Sequence, residues 1–110
     1  MSLILRSDFG CTEAVIDDDC GLNRFYEVAN ILSDDLQIDF LNKSDDFDSL
    51  MWEFKYKKQA LTLHYNIYTG ICIYPKRFRE AVEKENQAVV EVASFLESKL
   101  MVNMVKKYLS

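Results

Sequence analysis

The sequence contains a single histidine, His64, and what it can do depends on which side chains stand beside it. Two stretches alternate with the period of a half-buried strand. Trp52, Phe54 and Tyr56 alternate with Glu53, Lys55 and Lys57, and Leu61, Leu63, Tyr65 and Ile67 alternate with Thr62, His64 and Asn66. Ile71 and Ile73 continue the pattern around Cys72 and Tyr74. Parity therefore predicts one face that carries Glu53, His64 and Tyr74 side by side on three neighbouring strands, with Asn66, Thr62, Lys55 and Cys72 around them. A carboxylate, an imidazole and a phenol are the types used for proton transfer. The plainer account is a row of cross-strand polar pairs, each worth about 0.2–1 kcal/mol. On that account the row is a binding face, and no catalytic residue is assigned. A Cys72–His64 pair is conceivable on the same face, with an inert thiol as the simpler expectation.

Other chemistry has less support. Cys11, Cys20 and Cys72 form no C-x-x-C pair, so a closed zinc site has no signature. Asp17-Asp18-Asp19 and Asp45-Asp46-Phe47-Asp48 could offer oxygen ligands to a hard cation. Neither has the spacing of a calcium loop, and helix capping and solvation account for them. No metal is expected. Three glycines and no phosphate-loop or dinucleotide pattern leave no cofactor to expect either. Asp45, Asp46 and Asp48 join Glu53, His64, Tyr74 and Asn66 as binding-face candidates.

The elements that must position these residues follow from the hydrophobic pattern. Leu3-Ile4-Leu5 is ambiguous between an edge strand and a loose arm. Thr12–Ile16 predicts a short strand, and Asp18 or Asp19 can cap the helix after it. Leu22, Phe25, Ala29 and Leu32 form that helix's apolar stripe, and Ser33-Asp34-Asp35 ends it. Leu36–Leu41 alternates as a strand, and 42–48 is a polar loop. A three-residue loop, Tyr68-Thr69-Gly70, would set Ile67 opposite Ile71 and Tyr65 opposite Ile73. By the same rule Tyr56, Phe54 and Trp52 would face Leu61, Leu63 and Tyr65.

From about Arg77 the chain reads as one long helix, with Phe78, Val82, Val89, Val92, Leu96 and Leu100 on its stripe. About 30 helical residues span ~45 Å, against ~17–20 Å for a typical strand. The end should therefore overhang or bend. Leu100, Met101, Met104 and Tyr108 then need cover, from the domain itself or from a second copy across a symmetric interface. The order β-α-β-β-β-β-α predicts an α+β domain over 1–110. Both helices would lie on one face of a largely antiparallel sheet of four or five strands, with the other face open.

The 110 residues suffice for one hydrophobic core, and 49% hydrophobic content argues against disorder. A net charge of −5 disfavours nucleic acid as a partner. No apolar run has membrane-spanning length and no secretory pattern opens the chain, so a cytoplasmic protein is expected. Residues 1–50 carry a net −9 and residues 51–110 a net +4. Such asymmetry suits an acidic surface that meets a basic protein partner. The layout and acidity are similar to those of many small bacterial immunity proteins, a likeness of architecture without a shared motif. It implies an inhibitor that docks on a basic site with electrostatic steering. The alternative is a small enzyme or ligand binder that uses the open face around Glu53, His64 and Tyr74.

Overall fold

The computed structural model describes residues 4–8, 11–18, 21–46, 48–76 and 83–109, with side chains omitted at 4, 6–8 and 101–109. The chain is an α+β domain. Its strands are β1 (Ile4–Asp8), β2 (Cys11–Asp17), β3 (Phe40–Asp45), β4 (Ser49–Tyr56), β5 (Gln59–Asn66) and β6 (Gly70–Pro75). Helix α1 (Leu22–Asp35) follows β2, and α2 (Glu83–Leu109) follows β6. All six strands form one antiparallel sheet in the order β1-β2-β6-β5-β4-β3.

Alternation sorts the side chains of this sheet. Ala14, Ile16, Leu50, Trp52, Phe54, Leu61, Leu63, Tyr65, Ile71 and Ile73 point to one side and are buried. They share a core with Phe25, Val28, Ala29 and Leu32 of α1 and with Val89, Val92, Ala93, Leu96 and Leu100 of α2. Phe25 joins α1 to the sheet, with its ring 4.8 Å from that of Trp52 and 6.0 Å from that of Tyr65. Lys99 pairs with Asp35 at 3.6 Å and ties α2 to the end of α1.

Several expectations need correction. The order is β-β-α-β-β-β-β-α, because the ambiguous N-terminal segment is a strand paired with β2 (Leu5↔Ala14). The third strand is Phe40–Asp45, displaced from the alternating Leu36–Leu41. Gln37 turns the chain at φ 54°, which ends the first pattern. Asn42–Asp45, read as loop, pair with β4 as an exposed edge strand. Gly21 is the N-cap of helix α1, with no side-chain hydrogen bond at the cap. Asp18 does not cap it, and Asp19 lies outside the described residues. Asp17 instead meets Arg24 at 3.5 Å.

Both hairpin registers differ by two residues from those inferred. Lys57 and Lys58 turn β4 into β5 with φ of 49° and 70°, so Tyr56 faces Gln59, Phe54 faces Leu61 and Trp52 faces Leu63. Ile67-Tyr68-Thr69 joins β5 to β6, and Tyr65 faces Ile71. A slip of two preserves parity, so the side chains within the strands stay on their assigned faces, whereas Ile67, inferred to face Ile71, moves into the turn and is exposed.

Leu100 is 3% exposed and belongs to the core, which removes it from the interface candidates. From Glu83 to Leu100 α2 runs ~27 Å, about the length of an eight-residue strand, and its last turns extend further. Residues 77–82, with Phe78 and Val82, lie outside the described residues, as do the side chains of Met101, Met104 and Tyr108.

Candidate functional site

The sheet face away from the helices holds two adjacent rows. Val15, Cys72, His64 and Met51 stand opposite one another across β2, β6, β5 and β4, and beside them run Tyr74, Thr62 and Glu53. A register shift in β2 between Val15 and Asp17 bends the strand here. Glu13, Val15, Met51, His64, Tyr68, Cys72, Tyr74 and Lys76, with Asp18 and Thr69, line an open concavity of about 700 Å³. That volume lies within the usual range for small-ligand sites.

His64 and Tyr74 are thus brought into one concavity, with their rings edge to face at 5.9 Å. They sit diagonally, since His64 faces Cys72 and Met51 while Tyr74 faces Thr62. Nδ1 of His64 lies 3.9 Å from Sγ of Cys72. Burial lowers the His64 pKa from its ordinary 6.5, and the nearby Glu13 carboxylate only partly offsets this. Burial likewise pushes the Tyr74 phenol up to about 12. Near neutral pH both groups are therefore uncharged, and the phenol is a hydrogen-bond donor rather than a base.

Glu53 does not line the concavity. Its carboxylate accepts a 2.9 Å hydrogen bond from Asn42 and pairs with Lys76 at 3.3 Å, and both hold its pKa below the ordinary 4.5. The two-residue register slip between β4 and β5 sets Glu53 opposite Thr62 rather than His64, and the edge strand β3 supplies Asn42 to hold its carboxylate. The inferred triple row therefore reduces to His64 and Tyr74, with Cys72 in place of the carboxylate. Asn66 is occupied as well. Its Oδ1 accepts a 2.8 Å hydrogen bond from the Tyr68 amide and shapes the β5–β6 turn.

The acidic candidates divide in the same way. Asp45 accepts a 2.9 Å hydrogen bond from Nε1 of Trp52, so it completes the indole's polar handle. Asp46 and Asp48 remain at the β3–β4 turn, which is tied to the β5–β6 turn by the Ile67 amide donating to the Asp48 carbonyl at 3.1 Å. No group of three or more potential metal ligands converges among the described residues, and none of their helices is long and apolar enough to cross a membrane.

The burial of His64 has a consequence for stability. Its pKa is lower in the folded chain than in the unfolded one, so below about pH 6.5 the unfolded state binds more protons. Stability contributed by neutral His64 is complete above pH 6.5 and is lost as pH falls through the lowered folded value. Urea midpoints measured from pH 7.5 to pH 5 should decline more steeply for the natural sequence than for His64→Gln. Equal slopes would mean that His64 is solvated in both states.

No curated protein and no solved structure matches the chain. Residues 5–99 match the family model described as "Protein of unknown function (DUF3630)".

Proposed function

The chain belongs to the DUF3630 family, whose match covers all but its first four and last eleven residues, and we propose that it is a binding protein whose open sheet face receives a small ligand. The observation that carries this reading is the concavity around His64, Cys72 and Tyr74, which joins apolar walls to a few convergent polar groups. Val15, Met51 and the aromatic rings suit an apolar or planar body. The neutral His64 imidazole and the neutral Tyr74 phenol add polar groups without charge near neutral pH. Glu13 and Asp18 disfavour an anion, and the cation Lys76 is already paired with Glu53. A neutral or cationic aromatic molecule therefore fits best.

A screen of neutral aromatic fragments by amide NMR tests this. Shifts should gather at Val15, His64, Cys72 and Tyr74 and disappear in Met51→Trp, which fills the mouth from an exposed strand position. Shifts scattered over the surface, or none at all, would refute it.

A second reading, a docking surface for a basic protein of the kind an inhibitor or immunity-type protein meets, has its own support. Ile67 is 50% exposed and Tyr68 78%, and the Ile67 amide bonds the Asp48 carbonyl, which joins their turn to the one that carries Asp46 and Asp48. Apolar anchors beside carboxylates suit a partner with basic and apolar groups, and steering by such charge raises association rates. A cytoplasmic setting belongs to both readings, because it keeps Cys72 a thiol. Asp46→Lys with Asp48→Lys should abolish capture of such a partner while leaving fragment binding unchanged. Loss of both would mean the fold had been damaged.

A further inference from the structure

Cys72 and His64 occupy adjacent strands as directly opposed residues, and both open into the same concavity. Neither Cys72 nor Cys11 is in a disulfide, but the two differ in access: Cys11 is 2% exposed, whereas Cys72 is half-buried with its sulfur toward the cavity. The contact of 3.9 Å between Sγ and Nδ1 is within the reach of a sulfur hydrogen bond. With the ring proton on Nε2, Nδ1 accepts from the thiol. The other charged and titratable groups around the pair are Glu13 and Asp18 from the β2 side, Tyr68 from the β5–β6 turn, and Tyr74 and Lys76 from β6. Lys76 is held by Glu53, so the local field favours neutral molecules over anions.

We infer that Cys72 is a nucleophile toward neutral activated alkenes, such as α,β-unsaturated carbonyl compounds, with His64 as the acceptor of its proton. The inference rests on the ligand-binding reading, because the alkene occupies the same concavity. The thiol proton passes to Nδ1 of His64 as sulfur bonds to the β-carbon of the alkene. The π pair moves onto the α-carbon through the carbonyl, and His64 returns the proton there. The product is a thioether. No group leaves, and nothing is oxidised or reduced. The thiolate is the reactive form of cysteine, and an adjacent base generates it below the thiol's own pKa.

The test uses the full chain carrying Cys20→Ser, with acrylamide as the alkene and adducts located by peptide mass spectrometry. Cys72 should be modified at least tenfold faster than Cys11. Its rate should level off above about pH 6.5, where His64 is neutral, whereas an unassisted thiol gains nearly tenfold per pH unit up to ~8.5. His64→Gln should restore that steep climb and slow modification at pH 7 about tenfold. Circular dichroism confirms that the variant is folded, and the pH profile of the natural histidine gives the same answer without any variant. A steep profile with His64 present, or equal rates at Cys72 and Cys11, would overturn the inference. Fragment shifts without adduct formation would overturn the covalent step alone, and absence of both would remove the binding reading beneath it.

Discussion

Gly70→Ala is expected to destabilise the fold by about 3–5 kcal/mol, more than most single substitutions in a domain of this size. Gly70 opens β6 at φ +81°, where a β-carbon is already unfavourable. Space makes the substitution worse. An added Cβ would fall 1.9 Å from the carbonyl oxygen of Asp17 and 2.8 Å from the α-carbon of Asp18. Those atoms are backbone at the bulged end of β2, so relief requires that the β2–β6 pairing shift as a whole. Asn tolerates positive φ, yet Gly70→Asn should not rescue the loss, because its Cβ meets the same carbonyl. Urea unfolding checks both variants. A Gly70→Ala midpoint within 1 kcal/mol of the natural sequence would mean that the two strands separate more readily here than their pairing indicates.

Phe25→Ala should cost a comparable 3–5 kcal/mol, roughly the range for deleting a buried phenylalanine. The ring is fully buried and touches Trp52 edge to face at 4.8 Å, with Tyr26 at 5.7 Å and Tyr65 at 6.0 Å. It is the main anchor of α1, whose cap contributes no side-chain hydrogen bond. The cavity left behind would be lined by rigid rings that cannot collapse into it. Trp52 is the only tryptophan, so its fluorescence reports the change directly, with emission moving to longer wavelength as water approaches the indole. Tyr26→Ala serves as the control. Tyr26 is 44% exposed, and its loss should cost about 1 kcal/mol or less. Equal effects from the two variants would place the anchor of α1 elsewhere.

The core was readable in the sequence where one face of a strand is buried and the other is not. The alternation from Trp52 to Tyr74 assigned the strand side chains to their observed faces, because parity survives any slip of two, and it failed at Ile67, which the shifted register moved from the buried face into an exposed turn. Register was not readable, because the turns that set it carry unusual residues. Lys57-Lys58 adopts positive φ at both positions without the Asn-Gly signal of such turns. The strand β3 was misplaced for a related reason. Asn42–Asp45 are exposed at an edge, so no buried face imposes a pattern, while Leu36 and Ile38 alternate by chance in a loop where Ile38 plugs the core. The site suffered most from this. The β4–β5 turn moved Glu53 from opposite His64 to opposite Thr62, and nothing in the polar stretch 42–45 announces the hydrogen bond by which Asn42 then holds its carboxylate.

The strand order also has a consequence for how the chain acquires its site. β3 to β6 form a meander of sequential hairpins, and β1–β2 is a hairpin of its own. Among the described residues only the β2–β6 pairing sews the two together within the sheet, and it joins residues as far apart in sequence as Ala14 and Ile73. Closing so large a loop is entropically slow, so this seam should zip after the local hairpins have formed. The concavity straddles it, with Glu13 and Val15 on one lip and Cys72, Tyr74 and His64 on the other. The half-made domain therefore has no pocket to occupy. A molecule bound there would act as a staple across the seam, holding the slowest contact of the fold closed.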